Sequence, residues 1–365
     1  MLRISAARKR RTCRVDILLP APICSTAVFS QGENASDTTG GASVSIYPSG
    51  IRSASETMTG LKQSIIKGDI MPVHDREILT PHGVCHLTEA EVTVTLPGLC
   101  REYTFVHISD LHISASDAGD SDEEKERAAC SEKFWRTQGC ITCGRGGDEY
   151  VMTPLEANET VAERIREISP DMVFLTGDVV NYASLSSLRR AKEYIDSLGC
   201  GCIFAPGNHD AVPDAMPDEA RRLAAELAGG DPEFQILSLS GFDIAAIDDS
   251  DIKISNRQLH RMQEQIKAKR PAILLLHVPL QAPAARAPVL EKWGPDWMIG
   301  EEQQCENNRL FLKLINDNKD VVRAVFAGHV HIATGDDEMH DGGIVQYTAA
   351  PCFTGFLRII RVKGA

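Results

Sequence analysis

An α/β layered domain built on a substantial sheet is the fold class this 365-residue chain predicts. Three observations carry that expectation. From about residue 155 onward, short apolar runs of strand length alternate with amphipathic stretches of helix length, the pattern of strands covered by helices. Proline and glycine punctuate the joins, at Pro170, Gly199 and Gly207. The last strands follow one another without helices, which suggests antiparallel additions. With 43% hydrophobic residues the chain can bury a sizeable core. Its length suits one large α/β domain or two smaller ones.

In chain order, residues 1–84 read as a weakly ordered leader and linker. Residues 1–14 are basic, residues 15–29 are only mildly apolar, and residues 32–60 are rich in Gly, Ser and Thr. The domain is expected over 85–365. Residues 91–96 alternate as a strand before the Pro97-Gly98 turn, and 103–109 form a second strand. A polar, acidic insertion with Cys130, Cys140 and Cys143 occupies 114–154. Helix 155–169 stops at Pro170, strand 172–176 follows, and helix 185–198 closes at Gly199. Strand 202–205, helix 218–228 and a strand pair, 234–239 and 242–247, come next. Ser255 is a natural N-cap for helix 255–269. Strand 272–276, a proline-rich loop, helix 307–318 and strands 322–326, 344–348 and 357–362 complete the chain. No internal repeat is present.

The formal charge of −13 argues against sequence-specific or broad nucleic-acid binding, which wants a basic face. It also repels phosphorylated substrates unless something local reverses the field. No run approaches the roughly 20 apolar residues of a membrane span. Eleven cysteines, an odd count in a long chain, favour reduced thiols and a cytoplasmic location. The alternative is export by a weak twin-arginine-like N-terminus; an over-long gene start is the plainer reading of the leader.

Histidines and carboxylates recur at strand ends. Asp110 and His112 follow strand 103–109, and in extended chain alternate residues share a face. Asp178 follows strand 172–176 after Gly177; Asn208 and His209 follow strand 202–205 after Gly207. His277 ends strand 272–276, and His329 and His331 follow strand 322–326 after Gly328. Any one of these is ordinarily a packed His or a turn-capping Asp. Five apolar runs ending in the same kind of cluster point instead to a ligand site outside the strand C-termini. Oxygen and imidazole donors without thiolates suit Mn, Fe or Zn.

The segments H-I-S-D-L-H (107–112), T-G-D (176–178), P-G-N-H-D (206–210), L-H-V-P-L (276–280) and A-G-H-V-H (327–331) resemble the calcineurin-like metallophosphoesterase superfamily, over about residues 90–363. The resemblance implies a four-layer α/β/β/α sandwich of two mixed β-sheets with a dinuclear metal centre at the strand ends. It implies that Asp110, His112 and His331 hold one divalent or trivalent ion, that Asn208, His277 and His329 hold the other, and that Asp178 bridges them. It also implies hydrolysis of a small phosphorylated substrate, a phosphodiester or phosphomonoester, by hydroxide bridging the metals. His209 matches the family's non-ligand histidine, which stabilises charge or protonates the leaving oxygen. Asp210 either orients His209 or caps a turn. The protein-phosphatase pattern G-D-x-V-D-R-G is broken by Asn181 and Tyr182, and a purple iron–tyrosinate site is argued against by Asn181 and by His112. The absence of both sets of features tips the expectation slightly toward diesters. The alternative is a non-catalytic interaction module on the same fold, in which eroded ligands would be expected. No oligomeric state is read from the chain.

Loop 281–304 carries Trp293, Trp297, Arg286 and Lys292. These either stack a base and hold a phosphate or, for the tryptophans, anchor the loop to the core. Asn181 and Tyr182 are further pocket candidates. Cys140-x-x-Cys143 fits structural thiols, a redox pair or half a zinc site, with no second C-x-x-C. His107, inside a strand, is expected in the core or behind the ligands.

Overall fold

Two alternating faces of one long strand set up the layers. The computed structural model describes residues 73–365 apart from 146–147, 214–215, 295–296, 301–304, 335–336 and 339–343. β1 (Val73–Thr80) and β2 (Gly83–Leu96) form an antiparallel hairpin in register from Val73 opposite Ala90 to Thr80 opposite Gly83. The hairpin corrects the expected boundary at residue 84, because the ordered domain already includes residues 73–84. β1 is mostly exposed and carries no apolar alternation, so its sequence resembled linker. The basic leader and the Gly/Ser/Thr stretch lie outside the described residues. On β2, Cys85 and Leu87 face one core while Ala90, Val92, Val94 and Leu96 face another, as the two-residue period requires.

The chain continues through β3 (Tyr103–Ile108), α1 (Asp122–Arg136), β4 (Thr142–Arg145), β5 (Asp148–Val151), α2 (Pro154–Ile168), β6 (Met172–Leu175), α3 (Leu185–Ser197), β7 (Gly201–Phe204) and α4 (Asp218–Leu227). Then come β8 (Phe234–Ser238), β9 (Asp243–Ile247), α5 (Asn256–Ala268), β10 (Ala272–Leu275), α6 (Pro283–Lys292), α7 (Glu306–Asp317), β11 (Val322–Ala327), β12 (Asp337–Glu338), β13 (Val345–Thr348) and β14 (Phe356–Gly364). They build a mixed α/β fold with two mixed sheets. The first runs β5-β4-β2-β14-β3-β6-β7, with β1 added on β2; the second runs β12-β13-β11-β10-β9-β8. Phe105, Phe174 and Ile203 of the first sheet meet Phe242, Ile273 and Phe326 in a core shared with the second. The opposite face of the first sheet packs Val106 and Val173 on Val161, Ile165 and Leu188 of α2 and α3. The second sheet likewise packs Leu274 and Val325 on Met262 and Phe311 of α5 and α7.

Helix starts follow the capping signals. Thr153 caps α2 in a box with Glu156, and Ser255 caps α5 in a box with Gln258. Three expectations change. The late strands are not simply antiparallel: β13 runs parallel to β11, and β14 lies parallel to β2 and antiparallel to β3. The insertion 114–154 is structured and joins the first sheet, with β4 pairing β2. The proline-rich loop contains α6, opened by Pro283 at its first turn, where a missing N–H costs nothing.

Candidate metal centre

Parallel strands deliver the candidate ligands. β3, β6 and β7 run parallel in one sheet and β10 and β11 run parallel in the other. Their C-terminal ends therefore collect Asp110, His112, Asp178, Asn208, His277, His329 and His331. The spacing D-x-H does not work by strand alternation, as the sequence suggested. Asp110, His112, Asp178, His329 and His331 all adopt left-handed backbone, with φ of 53°, 48°, 51°, 66° and 54°. Each such residue costs on the order of 1–3 kcal/mol unless its surroundings enforce it. Here the enforcement is visible: the Asp110 and His112 N–H groups donate to Gly177 O and Asp178 O, and the His329 N–H donates to the Asp110 carboxylate at 3.1 Å.

Two candidate ligand groups result. In the first, His331 Nε2 lies 3.2 Å from Asp110 Oδ1 and 3.2 Å from His112 Nε2. In the second, His277 Nε2 lies 3.2 Å from His329 Nδ1, 3.1 Å from Asn208 Oδ1 and 3.4 Å from Asp178 Oδ1. The other Asp178 oxygen, Oδ2, is 3.8 Å from His112 Nε2. One carboxylate oxygen thus faces each group. Ligands bound at about 2.1 Å sit roughly 3.0–3.4 Å from one another around a metal, so these edges fit a cation in each group. The donor set, imidazole and oxygen with no sulfur, fits the same cations.

Burial and mutual contact move these residues far from their ordinary protonation ranges. Burial alone would lower His277, yet the Asp178 and Asp110 carboxylates push it up to about 10. Burial would raise Asp178, but His277 and His209 hold it well below the usual carboxylate range. Burial keeps His112 and His329 neutral, the state a ligand needs. His277 Nδ1 donates to Thr176 O at 2.8 Å, which turns Nε2 toward the ligand point.

His209 and Asp210 separate. The His209 ring donates from Nδ1 to Asn181 O at 2.7 Å, leaving Nε2 for the site. The Asp210 carboxylate accepts from Gly207 N at 2.8 Å and Val180 N at 3.1 Å. Of the two readings of Asp210, these bonds fit the turn cap: it clips two loops together, while a backbone carbonyl, which no sequence motif encodes, accepts from the His209 ring. Burial and the neighbouring Asp178 push Asp210 up to about 7.

Two supporting residues were missed. Asp249 is fully buried and accepts the N–H groups of His277 and Val278, at 2.8 and 3.1 Å. Its only signal was an acidic residue directly after an apolar strand. Arg358, fully buried on β14, donates to Thr334 O at 2.8 Å and Thr348 O at 3.0 Å and meets His107 Nδ1 at 3.2 Å. His107 Nε2 contacts Thr176 Oγ1 at 2.8 Å, so His107 lies behind the ligands as expected.

The aromatic loop residues serve as anchors. Trp297 stacks on His329 with ring centroids 4.8 Å apart, Trp293 stacks on Trp297, and Trp293 Nε1 donates to Val330 O at 2.7 Å. Lys292 Nζ lies 3.3 Å from His331 O. Tyr182 is buried beneath Arg127. Cys140 and Cys143 are buried free thiols, and among the described residues no ligand group includes a cysteine.

A model of the family described as calcineurin-like phosphoesterase matches residues 103–333, a span that holds all seven ligand candidates and His209. The chain belongs to the calcineurin-like phosphoesterase family. This phosphoesterase is 28% identical over 204 residues to a probable cyclic nucleotide phosphodiesterase of Synechococcus, covering 54% of this chain and 67% of that protein. It is 24% identical over 205 residues to the 3',5'-cyclic adenosine monophosphate phosphodiesterase CpdA of Vibrio vulnificus, covering 54% and 68% respectively. Among solved structures, a dimetal phosphatase from Danio rerio matches with a TM-score of 0.44 and 14% identity, over 69% of the phosphoesterase and 88% of that chain. No helix among the described residues is long and apolar enough to cross a membrane.

Proposed function

We propose that this chain hydrolyses small phosphodiesters with the aid of two metal ions of the Mn, Fe or Zn type. Asp110, His112 and His331 would hold one ion, Asn208, His277 and His329 the other, and Asp178 both. The observation that carries the reading is the buried Asp178 carboxylate, with one oxygen turned toward each ligand group. When bound, two such cations lower the pKa of water between them and clamp phosphate oxygens for in-line attack. The protein's own contribution is positional. Asp249 and Thr176 fix the backbone and ring of His277. His209, with Nδ1 committed to Asn181 O, presents Nε2 to stabilise charge on the phosphate or to hand a proton to the leaving oxygen. Lys292, beside His331, adds a cation at the edge of the centre.

Both curated relatives bear the names of cyclic-nucleotide phosphodiesterases, which supports a diester and makes 3',5'-cyclic nucleotides the first substrates to examine. A non-catalytic module is disfavoured because every ligand of the set is present. The free thiols of the described residues favour the cytoplasm over export. The experiment is metal analysis of the purified chain together with turnover of bis-p-nitrophenyl phosphate and cyclic AMP in Mn. About two metals per chain are expected, with His209→Ala keeping them and losing about 10²–10⁴-fold in kcat. A wild-type chain that binds no metal, or an unimpaired His209→Ala, refutes the reading.

A further inference from the structure

α1 belongs to the polar insertion, and among its described residues it buries only Ala128, Ser131 and Trp135. Two of these three reach the metal centre. A ligating histidine almost always donates its second ring N–H to an oxygen, which fixes the ring. Among the described residues His112 lacks that bond: Nδ1 is buried with no hydrogen-bond partner there. Its ring is instead covered by the Trp135 indole, with centroids 3.9 Å apart and planes 18° from parallel. The same indole donates from Nε1 to Asn181 Oδ1 at 2.8 Å. One turn earlier on the helix, Ser131 Oγ accepts from Asn181 Nδ2 at 2.6 Å. Asn181 O in turn accepts from His209 Nδ1.

Building on the two-cation reading above, we propose that the insertion is a working part of the centre: Trp135 positions ligand His112 by stacking and, through Asn181, positions His209. A buried indole needs some acceptor for its N–H wherever it sits, so what distinguishes Trp135 is the identity of its partners. Here the ring face and the N–H are each committed to a residue of the site. Asn181 stands where the sequence departs from the protein-phosphatase and purple-phosphatase patterns, and its side chain is the grip by which α1 holds the loop after β6, whose Asn181 carbonyl takes the His209 ring.

The test uses the full chain with Trp135→Ala and Trp135→Phe, read by Mn half-saturation, kcat and KM. Trp135→Ala removes the stacked ring and raises the half-saturating Mn concentration about 10–100-fold. Trp135→Phe keeps a ring on His112 and loses only the Asn181 bond. It binds Mn within about threefold of wild type while kcat falls about fivefold at unchanged KM. In a His209→Ala background, Trp135→Phe has no further effect on kcat. A purely structural tryptophan would lower thermal stability and move none of these readouts. Folded Trp135→Ala with wild-type Mn binding overturns the stacking role. Trp135→Phe with wild-type kcat overturns the coupling to His209, and does so even if Trp135→Ala fails to fold. Wild-type chain that binds no Mn overturns the two-cation reading itself, a result visible without either variant.

Discussion

Gly328 precedes His329 where β11 gives way to the ligand loop. Its backbone conformation is open to any residue, but the space is not. A Cβ built there would collide with Ser109 Oγ and lie 2.6 Å from Asp110 Oδ2 and 2.8 Å from Thr176 O. Ordinary contact begins at 3.4 Å, so Asp110 must retreat by about 0.8 Å even after Ser109 has moved. Ser109 cannot move freely, because its Oγ donates to Thr176 O at 2.7 Å. Nor can Thr176, whose carbonyl also takes the His277 ring. Gly328→Ala therefore strains both ligand groups at once. Overpacking of this kind costs about 1–3 kcal/mol, at roughly 1–2 °C of Tm per kcal/mol for a domain of this size. A displacement near 1 Å at a reacting centre costs about 10²-fold in kcat. Isothermal titration with Mn, thermal melts and diester turnover should show weaker Mn binding, a lower Tm and about 10²-fold lower kcat. Gly119→Ala is the control, since nothing lies within 4 Å of a Cβ there. If Gly328→Ala binds Mn and turns over within about twofold of wild type, the close packing of the two groups around this glycine is wrong.

Three further outcomes follow from the same geometry. Asp178→Asn loses the carboxylate shared by both groups, so metal analysis should fall from about two ions per chain to one or fewer, and kcat/KM by about 10³-fold or more. Asp210→Asn should weaken the loop clip by about 1 kcal/mol yet keep kcat within about fivefold, because His209 is held by Asn181 O; a loss as large as that of His209→Ala would restore Asp210 to a catalytic role. Burial pushes the Cys85 and Cys140 thiols up to about 12, so mass spectrometry after iodoacetamide treatment at pH 8 should find, among the described cysteines, the exposed Cys100 modified before those two, which react only after unfolding.

Much of the site was legible because it is written locally. Each candidate ligand follows its strand within a few residues, so apolar run and ligand appear as one short motif, with a glycine between them in three of the five that named the candidate residues. The helix start at Ser255 was equally local, since a cap and its N3 partner are neighbours in the chain. β1 was illegible for the converse reason: a mostly exposed edge strand need not alternate.

What the sequence by itself determined was the set of chemical groups and the order in which strands deliver them. Tertiary structure alone decided how they are aimed. His112 and His331 are 219 residues apart, yet their ring nitrogens approach to 3.2 Å, and the left-handed turns that bring them there are held by bonds between different loops. Asp210, adjacent to His209, turned out to bond elsewhere, while Asn181 and Trp135, 28 and 46 residues distant in the two bonds that matter, form the run that reaches it. Residue identity is a property of one position. Orientation depends on every element packed against it, and that information is present only when the two sheets and the insertion have come together.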